Sequence, residues 1–176
     1  MTRQQLEHIL RASNAITGAP EIVVIGSQAV HARGDVAAPT LVASMEADVF
    51  TFRSPDDAEL IDGTIGEESP FHRTFGYYAH GVGPETAVLP EGWKDRLVPL
   101  RTPGTGGATG LCLEVHDLAV SKLVAGREKD LAFVAALLQH GLADGAALRE
   151  RLAATTLDDS RRRACEERLG RLTSRP

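Results

Sequence analysis

Apolar residues recur at near-helical spacing over residues 2–17, with Leu6, Ile9, Leu10 and Ile16 in register, and Gly18 and Pro20 stop the pattern. Glu21-Ile22-Val23-Val24-Ile25 is a short β-branched run closed by Gly26, which predicts a buried strand. Ser27 to His31 follows a tight turn and predicts a short helix; a loop with Gly34 and Pro39 comes next. The apolar run over 41–52 predicts a long strand. Residues 55–65 predict a helix, because Pro55 suits a first turn and Asp56, Asp57 and Glu59 suit its positive end. Phe75, Tyr77, Tyr78 and Val82 predict a strand over 74–82, and 95–101 with 110–115 predict a strand pair around Gly104-Thr105-Gly106-Gly107. From His116 the pattern is helical to the end, with breaks near Gly126, Gly141 and Leu157.

This order, mixed α/β and then all α, predicts an α+β fold. A mixed sheet flanked by helices occupies residues 1–115, and a helical part over 116–176 packs on it, the two being equally readable as one continuous domain. A length of 176 residues is ample for a real core. No apolar run approaches the ~18 residues needed to span a membrane. The start, Met1-Thr2-Arg3-Gln4-Gln5, lacks the apolar segment of a secretory signal. Cys112 and Cys165 cannot build a disulfide framework, so a reducing cytoplasm is expected.

Charge is uneven along the chain. Residues 1–115 carry 8 basic and 15 acidic side chains, and residues 116–176 carry 11 basic and 9 acidic, for a net −5. An acidic first part argues against a protein that coats nucleic acid. It suits a carboxylate-rich metal site, and equally a solvated acidic surface. Arg161, Arg162, Arg163, Arg168, Arg171 and Arg175 offer contacts to RNA phosphates, but Glu166 and Glu167 interleave with them, which favours a salt-bridged exposed helix.

Three stretches carry candidate chemistry. On a strand, Glu46 and Asp48 point the same way, with Phe50 and Phe52, while Met45, Ala47 and Val49 take the other face. Two carboxylates that close repel each other, and burial would raise both pKa values. A divalent cation with oxygen ligands, Mg²⁺ or Mn²⁺, resolves the conflict; a strand end where both reach water is the other reading. Gly26-Ser27 follows a buried strand and precedes a helix, a place where backbone and hydroxyl approach a phosphate, or where Ser27 simply caps the helix. If the helix continues through Gly126, Lys122 and Asp130 share a face, giving a phosphate-pairing lysine and a third carboxylate. Arg127 and Asp130 also read as a surface i,i+3 ion pair.

Together, Val24-Ile25-Gly26-Ser27-Gln28-Ala29-Val30, Ser44-Met45-Glu46-Ala47-Asp48-Val49, and Ser121-Lys122-Leu123 with Arg127-Glu128-Lys129-Asp130 resemble the nucleotidyltransferase superfamily of the DNA polymerase β type. The likeness is greatest to small bacterial AbiEii-like nucleotidyltransferases, toxin components of abortive-infection systems and their stand-alone relatives. Ser69 to Tyr78 and Leu89-Pro90-Glu91-Gly92-Trp93 extend it. The resemblance implies a nucleotidyltransferase core in which Gly26 and Ser27 hold the β- and γ-phosphates of a nucleoside triphosphate. It implies that Glu46 and Asp48 bind Mg²⁺ or Mn²⁺, that Asp130 is the third carboxylate, and that Lys122, helped by Arg127, neutralises phosphate. An acceptor hydroxyl on an RNA, a protein or a small molecule would attack the α-phosphate and release pyrophosphate. An antitoxin is an implied partner and a membrane is not. The alternative is a nucleotide- or RNA-binding module of the same fold with little catalysis.

The chain departs from the family pattern in having Glu46 where aspartate is usual, and in a longer gap between Ser27 and Glu46. Gly104 to Gly110 is glycine-rich without a P-loop ending, and reads as a hairpin loop or a lip over the site. His31, His72, His80 and His116 have no zinc spacing with the cysteines, and Cys112, a weak nucleophile–base candidate with His116, reads rather as a buried strand cysteine. Ser69 to Arg73 reads as a loop near the site, with Arg73 toward the acceptor.

Overall fold

A computed structural model describes residues 1–34 and 36–174. Helix α1 (Arg3–Thr17) opens with a capping box, Thr2 and Gln5 exchanging side-chain and backbone hydrogen bonds, and ends at Gly18, whose φ of 71° suits a residue without a Cβ. Strand β1 (Glu21–Val24) follows, then a 3₁₀ turn over Ser27–Arg33.

The predicted strand over 41–52 divides in two. Pro39 starts a helical turn, α2 (Pro39–Val42), and the extended segment β2 is only Glu46–Phe50. The reason is local. Proline suits a first helical turn, and the Ser44 hydroxyl accepts from the Glu46 N–H at 3.1 Å, marking where alternation begins. Met45, outside β2, is exposed rather than turned into the far face.

Helix α3 (Asp56–Ile65) lies where its acidic first turn predicts. The strand read over 74–82 is shortened in the same way. Ser69 accepts from the His72 N–H, Pro70 occupies the first turn and Gly76 closes the end at φ 75°, so α4 (Pro70–Phe75) precedes β3 (Tyr78–Gly81). Phe71 and Phe75, one helical turn apart, stack with each other and with Tyr77 and His8.

Strands β4 (Val98–Leu100) and β5 (Thr109–Cys112) form the expected pair, each shorter than the run that predicted it. The five strands make one mixed sheet in the order β3-β2-β1-β5-β4. β1 is parallel to β5 and antiparallel to β2, and β2 is parallel to β3. Four helices follow, α5 (Val115–Ala125), α6 (Glu128–Gln139), α7 (Gly145–Ala153) and α8 (Asp159–Thr173), with breaks where the sequence places them.

One apolar core joins both parts of the chain, from Leu10, Val23 and Val49 to Leu118, Leu123, Leu137 and Leu148. α5 is its hub on the helical side, packing against α6, α7, α8 and the 3₁₀ turn after β1, while α6 reaches α2. Buried Asp117 on α5 holds Arg96 at 2.9 Å and Arg151 at 3.3 Å, tying the approach to β4 and α7 to one carboxylate. Arg162 and Arg168 on α8 are spent on structure. Arg162 donates to the Thr155 carbonyl at 2.9 Å, and Arg168 to the Leu123 carbonyl at 2.7 Å near the end of α5. Arg171 pairs with Glu167, and Arg175 lies outside the described residues. No helix is long and apolar enough to cross a membrane, among the described residues.

Candidate functional site

The sheet register builds the acidic centre. β2 and β3 run parallel with Glu46 opposite Tyr78 and Asp48 opposite His80, so these four alternate residues project from the same face. The Tyr78 hydroxyl donates to Glu46 Oε2 at 2.9 Å. His80 Nδ1 lies 3.3 Å from Asp48 Oδ1 and 3.6 Å from Glu46 Oε1. Ligand atoms of Glu46, Asp48 and His80 all fall within 4.8 Å of one another, the one such group of three among the described residues.

Electrostatics divide the carboxylate pair. Burial pushes the Asp48 carboxyl up, and neighbouring Glu46 pushes it further, against the opposing pull of His80. Burial also opposes ionisation of Glu46, but hydrogen bonds from Asp48 and Tyr78, with the charges of His80 and Lys129, hold it below its usual range. Burial, then the bond to Glu46, raises the Tyr78 phenol well above its ordinary range, so it stays a donor.

Gly26 is required by the same centre. The chain leaves β1 with the Ile25 N–H donating to the Asp48 carbonyl at 3.1 Å. A Cβ on Gly26 would stand 2.0 Å from Asp48 Oδ2, inside contact distance, so glycine makes room for that carboxylate.

Basic side chains gather near it, at the corner between α5 and α6. α5 stops at Gly126 (φ 66°), so the helix does not continue through Gly126 as the shared-face reading requires. Lys122 and Asp130 meet nonetheless, across the corner between α5 and α6, with Lys122 Nζ 3.3 Å from Asp130 Oδ1. Arg127 Nε lies 2.6 Å from Asp130 Oδ2. Both Asp130 oxygens are thus taken by cations, and Asp130 is not in the three-residue acidic group.

Gly26, Ser27, Glu46 and Asp48 line one cavity of about 610 Å³ together with Lys122, Arg127 and Asp130. Its other walls include Thr40, Ser44, His80, Lys129 and the loop Thr86–Val88. The sequence reading missed His80 and Tyr78. The signal was the alternation of residues 78 and 80, which acquires meaning only once β3 pairs with β2. Two other expectations are corrected. Gly104 is held by the Arg11 guanidinium and Thr105 is buried, so this loop packs on α1 and is no lip over the cavity. Residues 69–73 supply no cavity wall, since Ser69 caps α4 and Arg73 donates to the Glu68 carbonyl. Cys112 is a buried strand cysteine in β5, as the sequence favours, and burial pushes its thiol up to about 12.

The donor chemistry fits a divalent cation. Two carboxylates and an imidazole converge beside a cavity, one carboxylate is fixed by a tyrosine, and the neighbouring backbone is cut back to glycine to admit the other.

A family model described as a nucleotidyltransferase of unknown function (DUF6036) matches residues 4–167. No curated protein and no solved structure matches the chain.

Proposed function

The chain belongs to this family of nucleotidyltransferases of unknown function, and we propose that it transfers a nucleoside monophosphate from a nucleoside triphosphate to a hydroxyl of an RNA, a protein or a small molecule. The observation that supports this best is the gathering of a carboxylate pair and three cations in one cavity. Glu46 and Asp48 line it, and so do Lys122, Arg127 and Lys129. A triphosphate is repelled by the first group and attracted by the second. With Mg²⁺ or Mn²⁺ held by Glu46 and Asp48, both groups attract it. The bound ions would neutralise charge on the attacking and leaving oxygens.

The chain's own residues then have separate tasks. Lys122 offers a point charge to phosphate, and Arg127 a planar fork. Asp130, the third carboxylate of the resemblance, holds both cations toward the cavity rather than joining the acidic centre. Gly26 lets the backbone come close, and the Ser27 hydroxyl offers a donor. The acceptor oxygen forms its bond to the α-phosphorus as the bond to the β-bridging oxygen breaks. Pyrophosphate leaves and the acceptor proton is released. Positioning and electrostatics supply most of the rate in such a step. We extend the proposal to a toxin role with an antitoxin partner, on the strength of the AbiEii-like motifs.

The test is a thermal-shift panel of ATP, GTP, CTP and UTP, with and without Mg²⁺ or Mn²⁺, on the wild type and Asp48→Ala. A ligand at a hundred times its Kd adds about 2.7 kcal/mol, a rise of roughly 5–10 °C for a chain of this size. A metal-dependent rise lost in Asp48→Ala is expected. No rise with any nucleotide overturns the proposal.

A further inference from the structure

The acidic centre contains a nitrogen donor that the sequence motifs do not supply. His80 stands on β3 directly opposite Asp48, and its Nδ1 is the ring atom turned toward both carboxylates, 3.3 Å from Asp48 Oδ1 and 3.6 Å from Glu46 Oε1. Its side chain is half exposed to the cavity, so an ion can reach it without rearrangement of the core. Glu46 is held in the matching orientation. Its Oε2 is engaged by the Tyr78 hydroxyl, which leaves Oε1 on the His80 side. This anchoring compensates for the extra methylene of glutamate where aspartate is usual.

We infer that His80 is the third protein ligand of the metal centre formed by Glu46 and Asp48, and that it gives this centre a preference for divalent transition ions such as Mn²⁺ over Mg²⁺. The inference rests on the proposed nucleotidyltransferase reading for the presence of a metal, and adds the ligand and the choice of ion. Mg²⁺ is a hard cation that takes oxygen ligands and keeps much of its water. Imidazole suits first-row transition ions, whose affinity for nitrogen rises from Mn²⁺ onward. A third carboxylate in this place would leave an all-oxygen set suited to Mg²⁺; an imidazole shifts the balance. The competing role for His80 is that of a protonated partner that only neutralises the two carboxylates. That role gives no nitrogen coupling to a bound ion and no ion preference.

The experiment is direct metal binding by the full chain, without nucleotide. Mn²⁺ is titrated by electron paramagnetic resonance, Mg²⁺ by competition, and the bound Mn²⁺ is examined for ¹⁴N coupling by electron spin-echo modulation. The wild type is expected to bind Mn²⁺ at least about ten-fold more tightly than Mg²⁺ and to show imidazole ¹⁴N coupling. In His80→Ala the coupling disappears and Mn²⁺ affinity falls by about ten-fold or more, while Mg²⁺ affinity changes little. His80→Asp keeps metal binding and moves the preference back toward Mg²⁺. Absence of ¹⁴N coupling in the wild type, or unchanged Mn²⁺ affinity in a folded His80→Ala, overturns the inference. A wild type that binds metal and nucleotide without ion preference defeats the inference alone. A wild type that binds neither metal also defeats the nucleotidyltransferase reading on which it stands.

Discussion

Lys122 and Asp130 are eight positions apart on two different helices, yet Lys122 Nζ stands 3.3 Å from Asp130 Oδ1. The contact exists because the chain turns at Gly126 and restarts at Arg127, which brings the end of α5 beside the first turn of α6. Asp130 is almost wholly shielded, with its side chain 2% exposed, whereas Arg127, its second partner, is 60% exposed. One buried carboxylate therefore anchors two of the cations that line the cavity.

Asp130→Asn keeps the volume and removes the anchor. Breaking a buried ion pair costs about 3–5 kcal/mol, and the exposure of Arg127 puts this case at the lower end. The urea midpoint should fall accordingly, and triphosphate affinity should fall with it. Unchanged nucleotide affinity in the folded variant would show that Lys122 and Arg127 keep their places without Asp130.

Acid should erase that difference. Burial pushes the Asp130 carboxyl up, but the hydrogen bonds from Arg127 and the charges of Lys122 and Arg127 outweigh it and hold it below its ordinary 3.8. A depressed carboxyl stabilises the fold fully above its unfolded value and loses that contribution as pH falls through the folded value. Urea midpoints of wild type and Asp130→Asn should therefore differ by a constant amount at neutral pH and converge below pH 3.8. A gap that persists at low pH would assign the loss to packing rather than charge.

Gly126 closes α5 at φ 66°, and its N–H donates to the Lys122 carbonyl at 2.9 Å. A Cβ there would also meet the Arg168 guanidinium at 2.3 Å, the group that donates to the Leu123 carbonyl. Gly126→Ala should cost about 1–2 kcal/mol from left-handed strain, with little change in metal affinity, as calorimetry can check.

The parts of the site legible in the sequence are those made by local order. Gly26 follows β1, Glu46 and Asp48 alternate on β2, and Lys122, Arg127 and Asp130 lie within nine residues. Their convergence on one cavity is consistent with the motif order. His80 and Tyr78 were illegible because they acquire their partners through a parallel pairing to a strand 32 residues earlier. Strand limits failed at 41–52 and 74–82 for a different reason. Pro39 and Pro70 open short helices whose apolar side chains, Leu41 and Phe75, read as strand residues when counted without their caps.

Gly26→Ala tests how tightly the backbone and Asp48 are matched. Gly26 has φ −85°, which alanine adopts freely, so the effect is purely steric: the new Cβ would stand 2.0 Å from Asp48 Oδ2. The carboxylate must move. Metal-dependent thermal shifts with nucleotide should disappear, while the ligand-free melting temperature stays near that of the wild type. Retained shifts would mean that Asp48 has a second competent rotamer.

Tyr78→Phe separates orientation from ligation. The phenol hydroxyl touches Glu46 Oε2 at 2.9 Å, and burial with the Glu46 bond keeps it protonated far above neutral pH. Removing it frees a glutamate whose long side chain then samples several rotamers, only some of which turn Oε1 toward Asp48 and His80. Loss of such a supporting hydrogen bond typically weakens metal binding about 10–100-fold, and its net contribution to folding is only about 1 kcal/mol. Mn²⁺ titration of Tyr78→Phe should therefore show a large loss of affinity in a protein of nearly unchanged stability. Equal Mn²⁺ affinity in wild type and variant would mean that the β2 backbone alone aims Glu46, and that glutamate needs no anchor at this position.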